Sequence, residues 1–141
     1  MPQSLTSPSR ASRMMRSASA TGTGSVTPSS LDSWADAVRR HEPKRVAAYF
    51  TEDAIFQGFD RTPVVGRAGV AAYYDKQPVG LTLTYTVLQT RAFSEDTFLA
   101  FVDIDFTPPN AAVIPVHLTV ALVRSEGEWL IRHYHVSKIE A

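Results

Sequence analysis

The spacing of apolar residues changes from a helical to a strand period at about residue 81, and that change decides the fold class. Leu31, Trp34, Ala35 and Val38 recur at helical spacing, and helical spacing returns in two further segments before about residue 77. From Leu81 onward, apolar and polar residues alternate, which predicts strands at roughly 81–93, 97–106, 115–125 and 128–138. Helices followed by a meander of strands indicate an α+β fold.

Capping residues predict where the helices begin and end. Ser30 can cap the first helix, and Pro43 suits the first turn of a short second helix. A third helix is predicted over 67–77, and it ends there because Pro78 cannot continue it. A short strand, 54–56, is expected between the second and third helices.

Residues 1–29 have a different composition from residues 30–141. They are dominated by Ser, Thr, Ala, Gly and Pro, and they carry Arg10, Arg13 and Arg16 without an acidic residue. Such a segment buries too little apolar area to offset the entropy of ordering, so we expect a disordered tail before one folded domain. The composition is also similar to an organelle transit peptide, although prolines interrupt a long amphipathic helix. A misassigned start is a further alternative.

Charge, cysteine content and hydropathy exclude several classes of protein. Without the three tail arginines, the domain has 11 basic and 14 acidic residues, so no basic face for nucleic acid is expected. Cysteine is absent, which removes disulfides and thiolate chemistry. No apolar run approaches the length of about 20 residues that spans a bilayer. We therefore expect a cytoplasmic protein that binds neither nucleic acid nor membrane.

The last predicted strand carries the residues best suited to a site. Strict alternation places Trp129, Ile131, His133, His135 and Ser137 on one face, which looks like the wall of a pocket with an apolar floor and a polar mouth. The opposite face, with Leu130, Arg132, Tyr134 and Val136, looks like a packing surface.

This strand follows a charged glycine turn, and the pattern resembles the end of nuclear transport factor two-like proteins. The resemblance is greatest to their SnoaL-like and SgcJ-like branch and to the association domain of calcium/calmodulin-dependent protein kinase II. It extends through Trp34, residues 49–54 and residues 63–67. It implies a cone-shaped, curved antiparallel sheet with three N-terminal helices packed on its concave face.

The neighbouring strand, 101–106, allows two orientations. The resemblance to the association domain aligns Asp103 with a pocket arginine, which places Asp103 inward beside Phe101 and Asp105. In the alternative, the apolar face of Val102, Ile104 and Phe106 forms the core, and both aspartates lie in water.

An inward Asp103 would share an apolar cavity with His133 and His135. There Asp103 would be the primary proton acceptor, and the imidazoles would orient the substrate or shuttle the proton. This is the acid–base chemistry of isomerases, cyclases and dehydratases, and it needs no cofactor. A metal site is not predicted, because a third neutral nitrogen or a second carboxylate is missing. The expected substrate-binding residues are Trp34, Tyr49, Phe56, Tyr85, Phe101, Asp105, Trp129 and Ile131.

The same histidine pattern occurs in the noncatalytic association domain, so a ligand-binding or oligomerisation module is the alternative function. The association domain holds a carboxylate with arginines, whereas the aligned positions here are Asp103 and, less securely, Val120. A small apolar or neutral organic ligand is therefore expected. A homodimer through the outer sheet face is also expected, because apolar residues occur on both faces of the strands: Val102, Ile104, Phe106, Ala121, Val123, Leu130, Tyr134 and Val136.

Overall fold

Three helices and six strands confirm the α+β prediction. The computed structural model describes residues 22–140, with side chains from Ser30 onward. Its elements are α1 (Gly22–Arg39), α2 (Pro43–Ala48), β1 (Phe50–Gln57), β2 (Val64–Val65), α3 (Gly66–Asp75), β3 (Thr82–Ser94), β4 (Thr97–Thr107), β5 (Ile114–Ser125) and β6 (Glu128–Lys138). The four long strands lie within one residue of their predicted bounds.

The first helix is the element whose boundary was predicted wrongly. It begins at Gly22 and not at Ser30, in a stretch of Gly, Ser and Thr where no apolar period marks a helix. The predicted disorder of residues 1–21 lies outside the described part of the chain. The packing described below concerns the compact unit that begins at Ser33. None of the described helices is long and apolar enough to cross a membrane.

The sheet is curved and mixed, with the strand order β2-β1-β6-β5-β4-β3. The pairs from β6 to β3 are antiparallel, as predicted, and so is β1 with β2. The pair β1 and β6 is parallel, with Gln57 opposite His135. The first strand of the chain, β1, therefore lies beside the last strand, β6, in the interior of the sheet.

The two faces of the sheet differ in burial, and we call the helix-covered one the inner face. On β4, Ala100, Val102 and Ile104 are buried and alternate with half-buried residues. On β5, Val116, Leu118, Val120 and Leu122 are buried in the same alternation. The other face, here called the outer face, has no buried residue on β4 or β5. Period-two burial is what a sheet packed on one side requires.

The turn between β5 and β6 follows directly from its sequence. Ser125 pairs with Glu128, so the loop has two residues, Glu126 and Gly127, with φ of 52° and 81°. Positive φ at both positions is the type I′ geometry that matches the twist of a hairpin, and glycine adopts it without strain. This turn sets the register at the start of β6.

Part of the surface predicted for dimer formation lies on the inner face instead. Val102, Ile104, Tyr134 and Val136 are at most 5% exposed, and Phe106 shares the parity of Ile104. The prediction that these residues are external is wrong, because alternation alone does not say which face the helices cover. Ala121, Val123 and Leu130 do lie on the outer face.

Candidate functional site

A β-bulge in β6 divides the face on which the predicted site depends. Leu122 pairs with Ile131 and Ala121 pairs with His133, so Arg132 is an extra residue on β6. Ile131 is buried, Arg132 and His133 are both exposed, and Tyr134 is buried again. Trp129 and Ile131 therefore lie on the inner face, whereas His133 and His135 lie on the outer face. The prediction that Trp129 and Ile131 share one face with His133, His135 and Ser137 is wrong.

Asp103 also lies on the outer face, in contrast to its predicted orientation. It alternates with buried Val102 and Ile104, and its side chain is 46% exposed. Its Oδ1 lies 2.8 Å from Nδ1 of His117 on β5. Phe101 stacks on the same imidazole, with ring centroids 5.2 Å apart. Asp105 is exposed on this face as well.

The predicted catalytic residues thus share an open surface and not a cavity. The rings of His133 and His135 are 6.5 Å apart and both residues are exposed. Asp103 is paired across the sheet with His117, and the next residue in that row is Ser137. In the described part of the chain, no group of three or more His, Cys, Asp or Glu could hold a metal ion. Of the predicted catalytic residues, only His135 also lines a cleft at the end of the sheet. The proton-transfer roles of Asp103, His133 and His135 stay a prediction.

The inner face holds an aromatic cluster, defined here as Trp34, Phe50, Phe56, Tyr74 and Tyr134. Phe56 stacks on Tyr134 at 4.2 Å between ring centroids, with 11° between the planes. Trp34 contacts Tyr134 at 6.1 Å, and Tyr74 meets Phe56 edge-on at 5.5 Å. The five side chains are at most 5% exposed. This inner cluster joins α1, α3, β1 and β6.

The other predicted binding residues are distributed over both faces. Ile131, Tyr85 and Trp129 lie on the inner face, and Trp129 meets Phe98 edge-on at 4.8 Å. Tyr49 is half-buried at the end of α2, where its hydroxyl accepts a hydrogen bond from Nε of Arg45 at 3.3 Å. Trp34 and Phe56 belong to the inner cluster. Of the eight predicted residues, only Phe101 and Asp105 lie on the outer face.

The inner cluster contains polar atoms that the sequence analysis did not single out. Nε1 of Trp34 and the hydroxyl of Tyr74 are buried and have no hydrogen-bond partner of ordinary geometry among the described residues. Burial raises the pKa of Tyr74, and the nearby Tyr134 hydroxyl and Trp34 indole oppose this rise only in part. Burial also raises the pKa of Tyr134 well above its ordinary value. The helical spacing of Val70 and Tyr74 predicts one buried helix face, so Tyr74 could have been found from the sequence. Tyr134 could not, because the bulge in β6 places it on the inner face against strict alternation.

One pocket lies beside the inner cluster, and another lies at one end of the sheet. A narrow crevice of about 10 Å³, beside Tyr74, Gln77 and Leu81, is close to the space of a single water molecule. The inner cluster is therefore packed with side chains. An open cleft of about 450 Å³ lies beyond the ends of β1 and β6 and is lined by residues 57–61 and 135–138. This cleft could not be predicted from the sequence, because its residues come from a loop and a strand end.

A family sequence model matches most of the described residues. The sequence model of the SnoaL-like domain matches residues 29–140. Among curated proteins, none matches the chain closely enough to count as a relative.

Several solved structures share the fold. A domain of unknown function with a cystatin-like fold, from Nostoc punctiforme, has a TM-score of 0.75 at 21% identity, covering 87% of this chain and 81% of that one. A ketosteroid isomerase-like protein from Erwinia carotovora has a TM-score of 0.73 at 19% identity, covering 86% and 100%. A protein assigned as a calcium/calmodulin dependent protein kinase II association domain, from Xanthomonas campestris, has 0.70 at 16%, covering 80% and 85%. Identities this low establish the common fold alone.

Proposed function

Because this chain belongs to the SnoaL-like domain family, whose fold hosts both enzymes and assembly domains, we propose that it is a noncatalytic assembly module. In this proposal, two copies pair through the outer faces of their sheets. The observation that carries it is the open position of Asp103, whose side chain is 46% exposed beside His117. A half-exposed carboxylate, with only Oδ1 buried beside His117, lacks the enclosed low-dielectric surroundings that tune an acid–base catalyst.

The outer face has the apolar content of a contact surface. Leu99 pairs with Ala121, and Val123 pairs with Leu130, so these residues are contiguous across β4, β5 and β6. Together with Phe101 they form what we call the outer patch, and each is half-buried within a single copy. An uncovered sheet face is ordinarily polar, whereas a contiguous apolar patch marks an interface. A two-fold dimer would use the same patch on both copies.

A charge in the outer patch tests the proposal. We expect the wild-type chain to be a dimer at about 10 µM and Leu99→Arg to raise its dissociation constant by about 100-fold, because a two-fold axis would bring two buried cations together. Size-exclusion chromatography with light scattering gives the mass directly. Ala72→Arg, which adds the same charge at an exposed position of α3, is the matched control and should remain dimeric. A monomeric wild-type chain, or an unaffected Leu99→Arg dimer, contradicts the proposal.

A second candidate function is the binding of a small neutral molecule at the inner cluster. An unpaired buried donor destabilises a protein by about 1–3 kcal/mol, and a ligand carbonyl oxygen would satisfy Nε1 of Trp34 and the Tyr74 hydroxyl. The surrounding aromatic rings suit an apolar ligand. Opening of the packed cluster would be needed, since the adjoining crevice holds about 10 Å³. Native mass spectrometry of the purified chain, compared with Tyr74→Phe, would detect such a ligand.

An acid–base isomerase, cyclase or dehydratase remains the third candidate, with Asp103, His133 and His135 in the roles predicted from the sequence. It requires a substrate that lies on the outer face, where these side chains are. Asp103→Asn would then abolish turnover and leave the melting temperature unchanged. If Asp103→Asn changes neither the dimer mass nor any measured activity, the result favours the assembly module.

A further inference from the structure

The open cleft is positioned by the parallel pair β1 and β6. Both strands run in the same direction toward one end of the sheet, and Gln57 and His135 are their last paired residues. Beyond this pair the chain turns through residues 58–61 on one side and continues through Ser137 and Lys138 on the other. The cleft therefore has a rigid floor of sheet and a loop as its opposite wall.

Contacts within the cleft hold that loop in place. Nε2 of Gln57 donates to the carbonyl oxygens of Gly58 and Asp60. A Cβ at Gly58 would lie 2.7 Å from the Tyr73 hydroxyl, so glycine is the residue that lets the loop pack against α3. Nζ of Lys138 lies 4.8 Å from the centre of the Phe59 ring, which ties the loop to β6. The cleft is thus formed before any ligand arrives.

The lining of the cleft favours an anion. Arg61 and Lys138 supply two cations, and His135 and Ser137 supply further hydrogen-bonding groups. Asp60 is the one carboxylate of the lining, and it lies near Tyr73, whose pKa is raised by burial and then by this charge. The side chains of Arg61 and Ser137 have no hydrogen-bond or ion-pair partner in the described part of the chain. Their donors are available to a ligand.

The cleft also has an apolar wall and the size of a ligand site. Phe59 is 44% exposed, and Val136 lines the cleft beside it. The volume of about 450 Å³ lies within the range of about 300–1,000 Å³ that is usual for small-molecule sites. We propose that this cleft binds a small organic anion, with its acid group between Arg61 and Lys138 and a flat apolar part against Phe59. The site is separate from both the inner cluster and the outer patch, so this inference does not depend on the proposed function.

Titration of the full-length chain by ¹H–¹⁵N correlation spectroscopy, at constant ionic strength, tests the inference. Benzoate and phenyl phosphate are the probes, and benzyl alcohol is the neutral analogue. We expect saturable shifts confined to residues 57–61 and 135–138 for at least one anion, with benzyl alcohol at least about tenfold weaker. The tighter anion identifies a carboxylate or a phosphate as the class of ligand.

Charge-removing variants identify the binding groups. Arg61→Gln and Lys138→Gln should each raise the dissociation constant by about tenfold, because each removes a charge-assisted hydrogen bond. Arg91→Gln, which removes an exposed arginine on β3 outside the cleft, should leave it unchanged. Equal binding of benzyl alcohol, shifts scattered over surface lysines and arginines, or equal weakening by Arg91→Gln would each overturn the inference. Light scattering on the same samples reports the dimer independently.

Discussion

Tyr134→Ala is expected to lower the free energy of unfolding by about 3–5 kcal/mol, the usual effect of deleting a buried aromatic side chain. Tyr134 is 2% exposed, and it contacts Trp34, Phe50 and Phe56 at 6.1, 6.2 and 4.2 Å between ring centroids. Its removal would leave a cavity that four elements of the fold share. Denaturation by urea, monitored by circular dichroism, measures the change.

The adjacent residue on β6 provides the matched control. His133 is exposed, so His133→Ala should change the free energy of unfolding by no more than about 0.5 kcal/mol. Strict alternation along β6 would give the reverse order, with His133 inside and Tyr134 outside. A larger effect at His133 than at Tyr134 would therefore disprove the bulge at Arg132.

Alkaline pH is expected to destabilise the fold by about 5 kcal/mol between pH 10 and pH 12. Burial raises the pKa of both Tyr74 and Tyr134 above the unfolded value of about 10. A raised pKa means that the stabilisation is complete below pH 10 and is lost as the pH rises toward the folded pKa, because the unfolded state ionises first. Each tyrosine then contributes a loss of about 1.4 kcal/mol per pH unit.

Tyr74→Phe separates the two tyrosines. It removes one ionising group and keeps the ring, so the loss of stability per pH unit above pH 10 should fall by about 1.4 kcal/mol. Urea unfolding at several pH values gives the free energies, and absorbance at 295 nm reports the phenolates. If both buried tyrosines ionise near pH 10 and the free energy of unfolding does not change, their hydroxyls are accessible to water. That outcome would contradict the prediction.

The strands could be predicted from sequence because their signal is local. The alternation of Val116, Leu118, Val120 and Leu122 with less buried residues gives β5 almost to the residue. Pro43 marks the start of α2, because proline fits the first turn of a helix. The start of α1 was missed, because Gly, Thr and Ser give no helical signal of their own.

The site could not be predicted, because its placement depends on one bulge residue and on the choice of face. Arg132 and His133 are adjacent polar residues, and nothing in their identity shows that both point outward. On β4, the aligned position of Asp103 favoured an inward carboxylate. The structure instead buries Val102 and Ile104 and turns Asp103 outward, because packing an apolar face against the helices outweighs a resemblance at one position.

The parallel pairing of β1 with β6 also determines when this protein can fold during synthesis. Gln57 and His135 are neighbours in the sheet although they are separated by 78 positions in sequence. Until β6 leaves the ribosome, β1 has only the two-residue β2 beside it, and Phe50 and Phe56 lack the Tyr134 ring that covers them. Apolar strands exposed in this way make a nascent chain prone to aggregation. Completion of the sheet therefore waits until β6 has been translated.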